Sequence, residues 1–406
     1  MPVVRPFRAI RPVPDKVHLI VSRSYITYAD EALEQKLSSN PYSFIHIINP
    51  DFHDDDRADP GSRELFIKVR NRYDEFMEHG YLMQDDSPGF YVYEQTHEAG
   101  FTIRGLIAAT SNQDYLDGRI KRHEQTLAPR EKMFKDYLEV TGFNAEPVLL
   151  AYPDSPTVED VMDRVIGHSP MYDFSTTDRV RHRLWRLDDP EFIQSVQEVF
   201  SAMDAFYIAD GHHRTASSAL LTSESATRTQ RVAARDFCMS FLVPASQIHI
   251  EPFHRLVRDV GGRGRDEILS ELSDSMKVVG PMDDPGRLLK GQMGLYVEGD
   301  WFRLETDCPA DVLDASYCSS HILAPMFGIT DLRSDKRIRF FEGGTGLVPL
   351  KEVVDSGEAA LAIALSPASI DDVIRIADAE ETMPPKTTWV LPKLRSALTI
   401  YDLESD

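Results

Sequence analysis

A short segment in the middle of the chain joins two apolar elements through side chains that can do chemistry. Residues 206–209 form an apolar run that predicts the end of a buried strand, and the residues from Thr215 onward predict a helix. Between them stand Asp210, Gly211, His212, His213 and Arg214. Carboxylate, imidazole and guanidinium groups can accept a proton, ligate a cation or bind an oxyanion. The segment is therefore the first candidate for a functional site.

This turn has the features of a phosphate site. Gly211 allows the backbone to turn sharply, and the first N–H groups of the following helix lie at its positive dipole end without intrahelical acceptors. The Arg214 side chain can hold two phosphate oxygens, and Asp210 can ligate a divalent cation such as Mg²⁺. The alternative interpretation is a solvated turn whose histidines take part in no chemistry.

A second concentration of charge and imidazole lies well before this turn. It contains Lys121, Arg122, His123 and Glu124, and Arg130 follows shortly after. A carboxylate among cations can act as a general base, and the cations can hold phosphate oxygens. The alternative is a solvated helix with charge pairs four residues apart, each contributing a few tenths of a kcal/mol.

The chain resembles a known family along most of its length. The residues at 210–214 resemble the glycine-containing phosphate loop of the ParB/sulfiredoxin superfamily, which includes nucleotide-hydrolysing partition proteins, sulfiredoxins and free-serine kinases. A closer resemblance is to the bacterial and archaeal domain-of-unknown-function 1015 family. Its motifs are met by PFRAIRP at 6–12, NPYSFIH at 40–46, RIKRHEQT at 119–126, HRLW at 182–185, GITDLR at 328–333, MPPKTTW at 383–389 and PKLRS at 392–396.

The resemblance to free-serine kinases implies a division of labour in which the strand, loop and helix hold nucleotide phosphates and a carboxylate elsewhere activates a hydroxyl group. The cofactor it implies is Mg²⁺ with ATP, ADP or CTP, with the metal on Asp210. The role of Glu124 as the base rests on its chemical type alone. The catalytic candidates are Asp210, Glu124, His123 and His213, and the phosphate-binding candidates are Gly211, His212, Arg214, Thr215, Lys121 and Arg122.

Nucleotide-dependent phosphoryl transfer is therefore the predicted function, by a small-molecule kinase or a nucleotide hydrolase. The alternative is a non-catalytic nucleotide- or metabolite-binding regulatory module of the ParB type, so whether the chain is an enzyme stays open. A transition-metal site built from His212 and His213 with Asp210 and His123 is a further alternative, although adjacent histidines on a turn usually point apart. Sequence alone specifies neither the acceptor substrate nor an oligomeric state.

Composition limits the classes of partner. The 406 residues carry a formal net charge of −22, which disfavours binding to a polyphosphate backbone and counts against a DNA-binding partition protein. The three cysteines form no CxxC pair, and His212 stands where sulfiredoxins carry a cysteine. No long uncharged apolar run and no secretory leader is recognisable, so we expect a cytoplasmic protein with no membrane partner.

The order of predicted elements indicates an α+β fold, with mixed sheets, flanking helices and a ParB/sulfiredoxin-like core in the N-terminal part. We expect a phosphate-binding domain over residues 1–235 and a C-terminal α+β domain over residues 236–406. Strands are predicted at 17–22 and 43–48, and an amphipathic helix at 60–80. A hairpin is predicted from 90–95 and 101–108.

Two further basic segments have open interpretations. Residues 333–346 are basic and then glycine-rich, which favours a hairpin with a glycine turn over an anion site at Arg333 or Arg337. The segment from Lys386 to Arg395 contains prolines, cations and Trp389. It fits a cover over a nucleotide, with Trp389 stacked on a base, as well as a packed C-terminal strand.

Overall fold

The structure is a computed structural model that describes residues 1–23, 30–54, 57–225 and 233–404. The chain forms two compact units, one made of Met1–Ile248 with Pro392–Asp406 and the other of His249–Leu391. In sequence, the second unit is one continuous stretch that separates the two segments of the first unit. The sequence places one boundary at 235/236, whereas the structure divides the chain after residue 248, because residues 237–244 form an inner strand of the first unit's main sheet.

The bounds of the strands and helices follow from the chain order. The strands are β1 Val4–Arg5, β2 Ile10–Pro12, β3 Leu82–Gln84, β4 Phe90–Thr96, β5 Thr102–Ser111, β6 Ile120–Lys121, β7 Phe143–Asn144, β8 Val148–Tyr152, β9 Tyr172–Ser175, β10 Arg181–Leu187, β11 Phe206–Asp210, β12 Phe237–Pro244, β13 His249–Val257, β14 Lys277–Met282, β15 Gln292–Val297, β16 Asp300–Glu305, β17 Ile338–Glu342, β18 Leu361–Leu365, β19 Thr388–Leu391 and β20 Tyr401–Asp402. The helices are α1 Val17–Ile20, α2 Asp30–Ser39, α3 Ile45–Ile48, α4 Arg63–Glu78, α5 Asn112–Leu116, α6 Ala128–Thr141, α7 Pro156–Ile166, α8 Pro190–Ser201, α9 His212–Ser225, α10 Arg265–Ser273, α11 Asp314–Cys318, α12 Ala324–Phe327, α13 Val348–Asp355 and α14 Ile370–Asp378.

Within the described residues, the main sheet of the first unit has nine strands. Eight of them follow the order β6-β11-β8-β12-β5-β4-β10-β9, and β1 pairs with β5. The pairs β6–β11 and β8–β12 are parallel, and the other pairs are antiparallel. Every residue of β8 and β12 is buried, as expected for inner strands covered on both faces. The edge strand β6 and its neighbour β11 carry the chain into the two candidate segments.

Helices pack on this sheet through the apolar positions that the sequence predicts. α7 and α8 contribute Val158, Met162, Val196 and Phe200 to a core that includes Phe206 of β11. α4 confirms the amphipathic helix predicted at 60–80, and its Ser62 cap accepts a hydrogen bond from the Leu65 N–H. The predicted hairpin is confirmed as β4 and β5.

The strand predictions at 17–22 and 43–48 are wrong, because both segments form single helical turns. In α1 the buried residues are Val17 and Ile20. Around α3 the fully buried aromatic and aliphatic side chains are Phe44, Ile45 and Ile47. Val17 and Ile20 are three residues apart, as are Phe44 and Ile47, which places each of these pairs on one face of a helical turn. Short apolar runs fit either element, and tertiary packing decides between them.

The second unit has a seven-stranded sheet among the described residues, with six strands in the order β14-β16-β15-β18-β13-β17 and β19 paired with β13. The basic segment at 333–346 does not close on itself as a hairpin, because β17 pairs with β13 instead. Trp389 lies in β19, and its ring centroid is 5.3 Å from that of Phe253 in an edge-on arrangement. The C-terminal basic segment thus contains a packed strand.

These two sheets with helices on them confirm the α+β class. In the part of the chain that the structure covers, the helices lack the combination of length and apolar character that a bilayer crossing requires.

Candidate functional site

The candidate loop forms where β11 passes directly into α9. The strand pairing to β8 is irregular between Ile208 and Asp210, and Gly211 then has a φ of +100°, outside the range that residues with a side chain favour. A Cβ atom at Gly211 would also lie 3.2 Å from two nitrogens of the Arg214 guanidinium. The turn therefore depends on glycine for its backbone conformation and for space.

α9 starts at His212, three residues before the predicted position. Since the first N–H groups of an α-helix have no intrahelical acceptor, those of His212 and His213 are available to an anion at the positive end of the helix. Thr215 is the first residue whose N–H bonds back to Gly211, at 3.0 Å. Its hydroxyl donates to the same carbonyl at 3.2 Å, so this side chain closes the turn and does not extend from it.

Asp210 is held between two cations. Its Oδ1 lies 2.9 Å from Lys393 Nζ, and its Oδ2 lies 2.8 Å from Arg214 Nη2. Burial raises the pKa of Asp210, but the charges of Lys393 and Arg214 outweigh this effect and lower the pKa to about 2. With both oxygens in ion pairs, Asp210 does not fit the role of Mg²⁺ ligand that the sequence suggests, because a metal ion would have to displace a cation.

Arg214 turns back beneath the loop. Its Nη1 lies 2.6 Å from Glu146 Oε1 and donates to the Pro147 carbonyl at 2.8 Å. Together with the Asp210 pair, these contacts engage both terminal nitrogens of the guanidinium. The sequence predicts that Arg214 grips phosphate, whereas the structure uses it to tie the loop to the start of β8.

The second candidate segment reaches the loop because β6 and β11 are parallel neighbours. Ile120 pairs with Phe206 and Lys121 with Tyr207. Chain segments that leave parallel strands at the same end emerge side by side, so the residues after β6 meet those after β11. The ring centroids of His123 and His212 are 4.5 Å apart, at an interplanar angle of 88°. Glu124 Oε2 lies 3.7 Å from His212 Nδ1.

Both of these histidines are buried and neutral at pH 7. Burial lowers the pKa of His123 to about 3, and the neighbouring His212 lowers it further than Glu124 restores it. Burial likewise lowers the pKa of His212 to about 4, against the attraction of Asp210. Glu124 is less buried than the two histidines, since about a third of its side-chain surface is exposed.

The predicted cations surround this group at the surface. Arg122 is exposed and close enough to His212 to lower its pKa, and exposed Arg130 acts in the same way on half-buried His213. Burial is the larger cause of the lowered pKa of His213. Lys121 lies on β6 beside Tyr207 of the loop strand. The structure thus brings the two predicted segments together.

Two residues that hold the loop, Lys393 and Glu146, are not among the site residues predicted from the sequence. Lys393 comes from the PKLRS motif at 392–396, and Glu146 lies two residues before β8. Ser396 of the same motif donates to Glu146 Oε2 at 3.0 Å. The signal for Lys393 is its place in a basic family motif, but nothing local indicates its partner.

Solved structures to which the chain is weakly similar include a free serine kinase in complex with AMP, with 14% sequence identity and a TM-score of 0.38 over 73% of this chain and 92% of that chain. A conserved hypothetical protein from Pyrococcus furiosus shows 14% identity and a TM-score of 0.36, over 73% and 95%. SbnI with a C-terminal truncation, from Staphylococcus aureus, shows 11% identity and a TM-score of 0.39, over 73% and 87%. At TM-scores this low, these neighbours carry no information on the chemistry of this chain.

The search of curated proteins found no significant match. A family model matches residues 4–320, which cover all of the loop and both candidate segments. The chain therefore belongs to the family described as "Protein of unknown function (DUF1015)".

Proposed function

We propose that this chain binds the phosphates of a nucleotide where β11 meets α9 and transfers a phosphoryl group to a small hydroxyl-bearing molecule or to water. The observation that carries the proposal is the position of Glu124. A partly exposed carboxylate lies beside the free N–H groups at the start of α9, although it is remote from them in sequence. An anion site and a candidate base in one place are what a phosphoryl transfer requires of a protein.

Binding in this proposal relies on the backbone first. The N–H groups of His212 and His213 donate hydrogen bonds to phosphate oxygens at the positive end of α9. Arg122 and Arg130 are exposed beside these two residues and supply charge for the remaining oxygens. Lys121 is the third cation of this segment and lies on β6, beside Tyr207 of β11.

The transfer itself needs one proton acceptor. The acceptor oxygen forms a bond to the γ-phosphorus while the bond from that phosphorus to the bridging oxygen breaks, and a nucleoside diphosphate leaves. The proton of the attacking hydroxyl group or water passes to the Glu124 carboxylate. His212 is neutral beside this carboxylate and therefore does not cancel its negative charge.

The other predicted residues take positioning roles in this proposal. Asp210 and Arg214 hold the loop, since each is already paired with protein groups. His213 is half-buried next to Arg130 and is the loop imidazole that a ligand can reach. His123 supports His212 from within the fold.

One observation favours the alternative, a non-catalytic nucleotide-binding regulatory module. The charged side chains of the loop, Asp210 and Arg214, form ion pairs with each other and with Lys393 and Glu146. In this alternative, the loop offers an anion its backbone N–H groups and few free reactive side chains. A module that only binds a nucleotide needs the cradle and the surface cations but no base.

Both the phosphoryl-transfer enzyme and the regulatory module must bind a nucleotide, and a thermal-shift screen tests whether the chain does so. ATP, ADP, AMP and CTP are added with and without Mg²⁺, because a ligand that binds only the folded state raises the Tm as its concentration exceeds its Kd. We expect a rise with nucleotides that carry at least two phosphates. No shift with any of them would refute the phosphate site.

The role of Glu124 is tested by the variant Glu124→Gln with Glu131→Gln as its control, because both remove one carboxylate charge near His213. We expect Glu124→Gln to lower kcat by about 10²–10⁴-fold, the usual contribution of a general base, with little change in nucleotide Kd. Glu131→Gln should leave kcat within about 3-fold. Nucleotide binding by the wild-type chain with no turnover on any hydroxylated acceptor or water would favour the regulatory module.

A further inference from the structure

A group of possible metal ligands lies beside the loop. Of all the residues that the structure describes, His123, Glu124 and His212 are the only three His, Cys, Asp or Glu side chains found close enough to share an ion. Each offers one ligand atom, and these atoms lie within 4.8 Å of one another. The ligands come from two segments that only the β6–β11 pairing brings together.

The imidazoles of this group lack the hydrogen bonds that buried histidines normally have. His123 is 1% exposed, and neither of its ring nitrogens makes a hydrogen bond of good geometry, although the Ile208 backbone lies close to the ring. Nε2 of His212 is also buried without one. Leaving a buried polar group unsatisfied is unfavourable, so nitrogens in this state are candidates for binding a ligand.

Other buried histidines of the chain show what satisfied rings look like. His182 Nδ1 is 2.7 Å from the Tyr93 hydroxyl, and its Nε2 is 3.2 Å from the Thr176 hydroxyl. His254 Nδ1 accepts a hydrogen bond from the Leu365 N–H at 3.2 Å. Nδ1 of His213 is also buried without a partner, so among the described histidines the unsatisfied nitrogens are confined to the loop and the segment that meets it.

The charge around Glu124 also suits a metal ion. Within the described part of the chain, Glu124 has no ion pair with a lysine or arginine, whereas both oxygens of Asp210 have one. Its carboxylate is thus free to meet a cation between itself and the two imidazoles. Arg122 is exposed at the same site and can turn towards solvent when the ion enters.

We infer that His123, Glu124 and His212 bind one divalent transition-metal ion of the Zn²⁺ class, with a coordination position left open to a ligand. Two imidazoles and one carboxylate form a donor set that catalytic zinc sites use. Ligand bonds of about 2.0–2.2 Å require the three donor atoms to approach each other more closely than they lie here, by side-chain movements of about 1 Å. This inference does not rest on the proposed phosphoryl transfer, and the metal-bound form would occupy the Glu124 carboxylate that the transfer uses as its proton acceptor.

Metal content tests the site directly. The full chain is treated with EDTA, dialysed against Zn²⁺ or Co²⁺, and measured for bound metal by mass spectrometry without nucleotide. We expect one equivalent of metal per chain. The Co²⁺ form should show visible bands of four- or five-coordinate cobalt and no thiolate charge-transfer band, because Cys238, Cys308 and Cys318 lie outside the cluster.

Variants assign the ligands. We expect Glu124→Gln and His212→Gln to weaken Zn²⁺ binding by more than about 10-fold, while His213→Gln leaves the metal affinity within about 2-fold. If His212→Gln does not fold by circular dichroism, Glu124→Gln decides, since its side chain is partly exposed. Folded wild-type protein without stoichiometric Zn²⁺, or unchanged affinity in Glu124→Gln, would overturn the inference.

Discussion

Two cations of the PKLRS motif each pair with a carboxylate that is far away in sequence. Lys393 meets Asp210 in the loop, and Arg395 meets Asp178, with an Nη2–Oδ2 distance of 2.6 Å. Arg395 is only 3% exposed, so that carboxylate offsets the cost of burying its charge. These two ion pairs hold the PKLRS segment in place, and this segment supplies Lys393, one of the two cations that contact Asp210.

The pair with Asp178 predicts a pH-dependent contribution to stability. Burial raises the pKa of Asp178, but Arg395, the Thr176 hydroxyl and Arg23 lower it to about 2. A folded-state pKa below the unfolded value means that the contribution is present above about pH 4 and is lost as the pH falls through about 2. We expect Asp178→Asn to lower the free energy of unfolding by about 2 kcal/mol at pH 7.

Urea denaturation of both proteins at several pH values measures this effect. The difference between wild type and Asp178→Asn should shrink as the pH falls from 5 to about 2, because the wild-type carboxylate becomes neutral as well. Asp173 pairs with exposed Arg181 on the neighbouring strands, so Asp173→Asn is the control and should cost less than about 1 kcal/mol. A pH-independent difference would show that Asp178 acts through its shape.

At the scale of elements, the junction of β11 and α9 depends on Gly211. An alanine there would combine a φ of +100° with a Cβ atom 3.2 Å from the Arg214 guanidinium. We expect Gly211→Ala to lower the free energy of unfolding by about 1–3 kcal/mol. It should also weaken nucleotide binding, because the strain is relieved by moving the first turn of α9.

Gly118 provides the matched control for this glycine. It has a φ of +75° and no atom within 4 Å of an added Cβ. Gly118→Ala therefore carries backbone strain without a contact and should cost about 1–2 kcal/mol with unchanged nucleotide affinity. Thermal melts and nucleotide titrations compare the two variants, and equal nucleotide affinities would mean that the loop conformation does not shape the site.

Local patterns predict elements whose causes lie within a few residues. The apolar run at 206–209 followed by glycine and a helix-forming stretch predicts the β11–α9 junction, which the structure confirms. The run at 17–22 misleads, because a short apolar run fits a strand or a helical turn, and Val17 and Ile20 lie on the buried face of a turn. The direction in which Arg214 points follows from Glu146, which no local pattern relates to it.

The candidate site depends on pairings between distant segments. The meeting of His123 and Glu124 with the loop follows from a parallel register between β6 and β11, for which the sequence carries no turn signal. The chemical types at 121–124 nevertheless suggest a functional group of residues. The pairing of Lys393 with Asp210 could not be predicted, because nothing near either residue specifies the other.

For the molecule as a whole, the net charge of −22 limits the partners. Affinity for duplex DNA requires several Lys or Arg contacts in one patch, since it arises from counterion release. Several basic side chains of the segments at 333–346 and 386–395 already form ion pairs with carboxylates. Arg337 pairs with Asp335, and Lys393 pairs with Asp210. We expect no salt-sensitive binding to duplex DNA near physiological ionic strength.

An electrophoretic shift assay with short duplexes across a salt series checks this expectation. A single-stranded oligonucleotide of the same length is the comparison, because it separates backbone attraction from base contacts. Tight duplex binding with a steep negative salt slope would show that the basic residues form one surface, and would support the partition-protein alternative.

The return of residues 392–406 to the first unit sets the order in which a growing polypeptide can finish the loop. The ribosome releases Asp210 and Arg214 long before it makes Lys393, so the loop emerges with one of its two cations still missing. All of the second unit is synthesised in that interval. Any chain interrupted before Lys393 has the β11–α9 junction in its sequence but lacks the cation that completes the charge balance on Asp210, so the nascent protein acquires its finished loop only after the whole second unit has been synthesised.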